Sequence, residues 1–206
     1  MSVALERTWR VETSVEPTSE PVTLAQAKSH LRVDDVASDS YIIDLIKAAR
    51  QSVEARIDST LMTTTKIMRL SRFDGNDANT IKLFGSPIQS ITSVKYYDTD
   101  NVLQTWSSTN WVENFGGVEH GIIQLADGAS WPSITARLDA VEITYIAGYT
   151  SAGNVPNPIK QAILSIVGTL FLQREDAAVS GSYIEIPAVA DRLLFNYQNF
   201  YRDPWQ

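Results

Sequence analysis

The chain has 206 residues, of which 44% are hydrophobic, and it carries a net charge of −7 with an isoelectric point near 4.8. It contains no cysteine, which excludes disulfide frameworks and thiolate chemistry. The acidic excess argues against broad binding to nucleic acid, because contact with the phosphate backbone needs clustered Lys and Arg. The two histidines, His30 and His120, are far apart and form no metal-ligand spacing, so no cofactor is expected.

The sequence also lacks the features of a membrane or secreted protein. No apolar run reaches the roughly 18 residues that a membrane-spanning helix needs. The N-terminal stretch MSVALERTWRVETSVEP has no apolar core of the kind found in signal peptides. We therefore expect synthesis in the cytoplasm and no membrane partner.

The N-terminal region predicts an extended segment followed by two helices. Residues 1–22 contain two prolines and show no hydrophobic period, which indicates extended chain. Thr23 and Gln26 have the spacing of a capping box, so a helix is predicted to begin there. A second, amphipathic helix is predicted over residues 41–57, where apolar residues recur at helical spacing.

The period of the sequence changes after residue 60. Residues 61–150 hold several short stretches rich in β-branched residues, separated by turn signals about every 8–12 residues. One hairpin is predicted with its turn at Asp98–Asn101. This region therefore predicts a small antiparallel β sandwich or barrel.

The last third of the chain predicts two further helices. A long, strongly apolar helix is predicted over residues 157–175, with Asn157 as its N-cap and Pro158 at its first position. A link of small residues follows, and a last helix is predicted to begin near Pro187. Its predicted inward residues are Val189, Leu193, Leu194 and Tyr197. Residues 201–206 form a short aromatic tail.

The order of these elements predicts an α+β fold. Neither pair of helices can bury its apolar face alone, so the two pairs are expected to share one core as a helical bundle. The predicted domains are an extended segment (1–22), a helical bundle (23–60 plus 155–200), an inserted β module (61–150) and a C-terminal tail (201–206).

Signals for catalysis are sparse in this sequence. It contains no nucleophile elbow, P-loop, zinc-protease or dinucleotide motif. His30 lies on a predicted helix, where a capped or solvated histidine is the favoured interpretation. His120 and Glu119 could perform acid–base chemistry, but no nucleophile or second ligand lies near them in the sequence. We therefore expect a protein that is not an enzyme and has no catalytic or metal site.

Two acidic turns invite comparison with calcium loops. Asp98 and Asp100 lie in one, and Asp74, Asn76 and Asp77 lie in the other. A calcium loop also needs a glycine at its sharp turn and a distal glutamate, which neither stretch supplies. Both are interpreted as turns.

Three tryptophans, one glycine and the C-terminal tail are candidates for contacts with a sugar, another helix or another protein. Trp106, Trp111 and Trp131 could stack on a sugar, although packing inside the β module is favoured. Gly168 interrupts the late helix at a cost of about 1 kcal/mol relative to alanine, which close packing of another helix or subunit would explain. The tail has the residue types enriched at binding hot spots: Phe200, Tyr201, Arg202 and Trp205.

Six segments occur in a characteristic order between about residue 20 and residue 197. They are EPVTLAQAKSHLRVD, DSYIIDLIKAARQSVEARI, IKLFGSPIQSITSVKYYD, WPS, VEITYIAGY and VPNPIKQAILSIVGTLFLQRE. In this order the chain resembles the head–tail connector (adaptor) proteins of tailed bacteriophages and gene transfer agents. No single segment is chemically diagnostic, and the specificity lies in the ordered set.

The resemblance implies a structural role in the neck of a virion. Such connectors form a ring, generally of twelve copies, beneath the portal protein, extend the DNA channel and give the next neck or tail component its platform. It implies that DNA passes without specific binding, and it supplies no catalytic residues. On this interpretation the aromatic tail docks into the portal or an adjacent subunit. The alternatives are a head-completion or tail-terminator protein, or a carbohydrate-binding β module.

Overall fold

The structure is a computed structural model that describes residues 8–73, 79–115, 120–173 and 187–198. These residues form four α-helices and eight β-strands, and all strand pairs are antiparallel. The predicted α+β class is therefore correct. The described residues divide into two units: a β unit (8–17 and 63–148) and a helical unit (18–62, 149–173 and 187–198).

The helical unit begins with α1 (Leu24–Leu31) and α2 (Asp39–Ile57). The predicted capping box is confirmed. The backbone N–H of Gln26 donates to Oγ1 of Thr23 at 3.2 Å, and the N–H of Thr23 donates to Oε1 of Gln26 at 2.9 Å. Two free donors at the helix start are thus satisfied, which fixes where α1 begins.

The unit continues with α3 (Asn157–Leu172) and α4 (Ala188–Leu194). Asn157 is the first helical residue and Pro156 precedes it as the N-cap, so the predicted N-cap was wrong by one position. α3 packs against both α2 and α4. All four helices contribute buried side chains to one hydrophobic core.

The predicted inward face of α4 is right for Leu194, Leu193 and Tyr197 and wrong for Val189. Val189 is 62% exposed, whereas Ala190 and Leu194 are fully buried. These two residues are four positions apart and therefore share one face of the helix. The described part of α4 is also short, and a 3₁₀ turn at residues 195–197 follows it.

The β unit consists of two sheets. Its strands are β1 (Trp9–Val15), β2 (Thr64–Leu70), β3 (Thr80–Leu83), β4 (Ile88–Tyr97), β5 (Leu103–Trp106), β6 (Trp111–Asn114), β7 (Gly121–Leu125) and β8 (Val141–Ala147). Five strands form a sheet in the order β1-β2-β8-β4-β5, and three form a sheet in the order β3-β7-β6. Both sheets are open across the described strands, so the barrel alternative finds no support.

The two sheets share a second hydrophobic core. The inward residues of β2 and β8 are buried at alternate positions, as a sheet with one covered face requires. Tyr145 is fully buried in this core, and its hydroxyl donates to the carbonyl oxygen of Phe84 at 3.0 Å. The fully buried side chains of this core include Met68, Leu70, Ile81, Leu83, Ile123 and Ile143.

β1 lies in the segment that was predicted only as extended chain. It pairs with β2 over a register that runs from Trp9 opposite Leu70 to Val15 opposite Thr65. Six of its seven residues are exposed. Its residues Trp9, Val11 and Val15 alternate with polar ones, which is the pattern of a strand, and the sequence analysis missed it.

Arg50 of α2 is a buried cation, with only 3% of the residue exposed. Its Nε donates to Oε2 of Glu20 at 2.8 Å, and its Nη1 donates to Oε2 of Glu54 at 2.7 Å. The other oxygen of Glu54 accepts the backbone N–H of Leu61 at 2.8 Å. Arg50 therefore ties the segment before α1 to α2 through Glu20. It also holds Glu54, which ties the segment after α2 to the same helix through Leu61.

We predict that Arg50→Met lowers the free energy of unfolding by about 2–3 kcal/mol, because it removes the cation that two partly buried carboxylates share. Urea denaturation followed by far-UV circular dichroism measures the change. Arg56→Met is the matched control on α2: Arg56 pairs with Asp191 at 2.8 Å, but their side chains are 44% and 47% exposed. The control should cost less than about 1 kcal/mol. Equal losses in the two variants would contradict the prediction.

Candidate functional site

Trp106 and Trp131 of the β unit contact other aromatic rings, and Trp111 is buried. The rings of Phe73 and Trp131 are stacked, with centroids 5.0 Å apart and planes inclined by 11°. The ring of Trp106 lies 5.1 Å from that of Trp131, and the residue is 7% exposed. Trp111 is 9% exposed. Because these rings are buried or engaged with one another, the geometry favours core packing over a sugar-stacking platform.

The two histidines differ in burial: His30 is exposed and His120 is partly buried. His30 on α1 faces α3: its Nε2 is 3.4 Å from the position that a Cβ at Gly168 would occupy. The ring of His120 meets that of Phe84 edge-on, with centroids 5.5 Å apart. Across the ranges that the structure describes, no group of three or more His, Cys, Asp or Glu residues could hold a metal ion.

Asp98 organises the turn between β4 and β5. Its carboxylate accepts the backbone N–H groups of Val102 at 2.9 Å and Asp100 at 3.0 Å, and the side-chain amide of Gln104 at 2.8 Å. The hydrogen bond from Val102 and then that from Gln104 lower the pKa of Asp98. Asn101 adopts a left-handed conformation (φ 61°) that suits asparagine. The acidic pattern at Asp98 and Asp100 is thus a rigid hairpin turn, as the sequence predicted.

Cross-strand ion pairs lie on one face of the five-stranded sheet. Arg69 of β2 donates to Glu12 of β1, and to Oε2 of Glu142 of β8 at 3.0 Å. The hydrogen bond from Arg69 lowers the pKa of Glu12. Sequence analysis missed this group, because only the strand register brings these three residues together.

Arg137 forms a second polar group beside this sheet. Its guanidinium donates to both oxygens of Asp139, at 2.7 and 3.1 Å, and to Oδ1 of Asn101 at 3.0 Å. It also lies 3.7 Å from the centroid of the Tyr97 ring, as a cation–π contact. These contacts join the loop before β8 to the turn that follows β4.

A cleft of about 350 Å³ opens at the β1 end of this sheet. The ring of Trp9 is stacked on Phe84, with centroids 4.7 Å apart, which fixes one wall. Leu138 is 60% exposed at the cleft. The lining residues are Thr8, Trp9, Arg10, Arg69, Leu138 and Asp139. The cleft joins exposed apolar groups to charged ones.

Several residues that the sequence analysis singled out are not part of the polar groups or the cleft described above. Gly168 lies on α3 beside His30, as described above. The tail residues Phe200, Tyr201, Arg202 and Trp205 lie outside the described residues, as do Glu119 and the acidic turn at residues 74–77. None of the described helices combines the length and apolar character needed to cross a bilayer.

Residues 21–115 match the model of a protein family described as Phage gp6-like head-tail connector protein. The predicted resemblance to head–tail connectors is confirmed. The matched segment begins before α1 and ends just after β6, so it includes both helical and β residues of the chain. No curated protein sequence matches the chain.

Solved structures with the same fold come from gene transfer agent (GTA) particles. A chain from the neck of an empty GTA particle, computed with C6 symmetry, has a TM-score of 0.77 at 17% identity, covering 94% of this chain and 97% of that one. A chain from the virion of a native GTA particle has a TM-score of 0.73 at 18% identity, with coverage of 94% and 97%. A chain from the neck of a native GTA particle, computed with C12 symmetry, has a TM-score of 0.70 at 20% identity, with coverage of 95% and 97%.

We predict that Trp131→Ala destabilises the protein without affecting any sugar binding. The loss of stacking on Phe73 and Trp106 should lower the free energy of unfolding by about 2–4 kcal/mol. Val112→Ala, at a residue 55% exposed, is the control and should change stability by no more than about 0.5 kcal/mol. Chemical denaturation and a glycan array measure the two properties. A Trp131→Ala protein of normal stability that had lost glycan binding would contradict the packing role.

Proposed function

We propose that this chain is a non-enzymatic connector in the neck of a tailed bacteriophage or gene transfer agent, where it joins the head to the tail. The observation that carries the proposal is the agreement of two comparisons. The family match covers residues 21–115, and the likeness to chains from GTA particles extends over 94–95% of this chain.

In the proposed assembly the copies form a closed ring of twelve beneath the portal protein. The four helices of each copy act as a bundle, and the ring extends the DNA channel toward the tail. One neighbour in fold comes from a neck computed with C12 symmetry, which supports twelvefold order. The net charge of −7 suits a channel through which DNA slides without binding.

The aromatic tail and Gly168 take contact roles in this proposal. Phe200, Tyr201, Arg202 and Trp205 dock into the portal protein or an adjacent subunit, a role supported by their hot-spot composition. Gly168 takes a packing contact between α3 and α1, where it lies beside His30.

A head-completion or tail-terminator protein is the second candidate, because it would occupy the same region of a particle and would also lack catalytic residues. The position of the chain relative to the portal protein separates the two. A carbohydrate-binding role is less well supported, since the tryptophan rings that would bind sugar stack within the β unit.

We predict that the purified chain assembles into closed rings with a central opening. Light scattering over a wide range of concentration should give a mass that is a multiple of 22.9 kDa, and negative-stain images of each species should show the ring. Assembly can require the portal protein as a template, so the same measurement is made with it present. A chain that stays monomeric in both conditions would contradict the proposal.

We predict that deletion of residues 198–206 weakens portal binding or ring formation at least tenfold, because the deleted segment holds three aromatic residues and an arginine suited to docking. Deletion of residues 1–7, which also lie outside the described part of the chain, is the control and should leave both properties unchanged. Binding is measured by surface plasmon resonance with immobilised portal protein. Wild-type behaviour of the 198–206 deletion in both assays would refute the docking role.

A further inference from the structure

Across the described residues the chain passes between the two units at three crossings. They lie at residues 17–18, 62–63 and 148–149. Each unit has its own hydrophobic core, so the crossings are covalent links between two separately packed units. Units linked in this way move relative to each other unless something restrains them. The groups that hold the chain at its crossings therefore influence how far the units can move.

Two of these crossings are neighbours in the five-stranded sheet. Thr64 is the first residue of β2 and pairs with Ala147, the last residue of β8. Thr63 and Gly148 lie one position beyond this pair, and each is the last residue of the β unit before a crossing. The chain thus enters and leaves the sheet side by side, at the same end of two adjacent strands.

A β-bulge on β4 places Gln89 beside these two crossings. The partners of Ile88 and Ser90 are consecutive residues of β8, so Gln89 is the extra residue between them. An extra residue bends the strand locally and turns a side chain out of the regular alternation. The bulge lies at the start of β4, next to the end of β8.

The side-chain amide of Gln89 is hydrogen-bonded at both crossings. Its Nε2 donates to the carbonyl oxygen of Gly148 at 2.7 Å and to Oγ1 of Thr63 at 2.9 Å. These two bonds use both N–H groups of the amide. One side chain of β4 therefore joins the residue that leads into β2 to the residue that follows β8.

The backbone of Gly148 is fixed at this point. Its N–H donates to the carbonyl oxygen of Pro87 at 2.7 Å, while its C=O accepts from Gln89. Its φ is 99°, in a region that favours glycine, and the chain bends there. The direction in which the chain leaves the sheet is thus set by a glycine and by two hydrogen bonds.

We propose that Gln89 is a positioning residue that limits the movement of the helical unit relative to the β unit. While its two hydrogen bonds are made, the entering and leaving segments are joined to β4 up to Thr63 and Gly148. Removal of the amide donors takes this restraint from both segments at once. The inference concerns the dynamics of the single chain and does not depend on the proposed ring.

Hydrogen exchange measured by NMR tests the local restraint. Gln89→Met keeps the length of the side chain and removes its two donors, so it should raise the exchange rate of the Gly148 amide by about fivefold or more. The amide of Ile143, in the middle of β8, should keep its wild-type rate. Gln104→Met removes a different hydrogen bond of the same sheet, to Asp98, and should not change exchange at Gly148. An unchanged rate at Gly148 in Gln89→Met, or an equal rise at Ile143, would overturn the proposal.

Distances between spin labels test the movement of the two units. The chain has no cysteine, so labels can be placed through Val112→Cys on β6 and Gln51→Cys on α2, both at exposed positions. Labelled chains are diluted with unlabelled protein, so that double electron–electron resonance reports distances within one chain. The distance distribution should broaden by about half or more in Gln89→Met, because further orientations become populated. It should keep its width in Gln104→Met. A distribution of wild-type width in Gln89→Met would contradict the proposed restraint.

Discussion

The burial of α3 is the constraint on which the helical unit depends. Its buried residues follow one another so closely that they cover a wide arc of the helix rather than a narrow stripe: Ile159, Ala162, Ile163, Leu164, Ile166 and Val167. Such a helix is stable only when several neighbours cover it, and α1, α2 and α4 are the helices that pack against it. The chain must therefore return to the helical unit after forming the β unit. The two units consequently have separate hydrophobic cores, each supplied by segments distant in sequence.

Charged groups in this protein serve chiefly to fix the backbone. Arg50 is almost fully buried and joins Glu20 and Glu54, while Asp98 gathers the N–H groups of its own turn. Hydrogen bonds to ionised groups are stronger than neutral ones, and they hold segments that have no regular secondary structure. Such fixed segments are in keeping with the connector role proposed for this chain. The same arrangement leaves these carboxylates occupied with structural partners rather than presented to a substrate.

Much of the fold was predictable from the sequence, because local signals were strong where burial was one-sided. The capping box at Thr23 and the turn at Asp98 both rest on short-range hydrogen bonding, and both are present. β1 was missed although Trp9, Val11 and Val15 alternate with polar residues. Val189 was misplaced because a seven-residue helix gives little periodicity. The ion pairs of Arg69 and the cleft beside Trp9 depend on strand register and loop position. Neither can be obtained from sequence spacing, since residues about 60 to 130 positions apart come together.

We propose that this chain forms a ring in the neck of a particle. An electron cryomicroscopy structure of its assembled form, with the portal protein if assembly requires it, tests this most directly. We expect a closed ring with an open centre, in which each copy keeps both units and meets its two neighbours through different surfaces. A two-fold dimer with the same surface on both sides, or an assembly with no central opening, would contradict it.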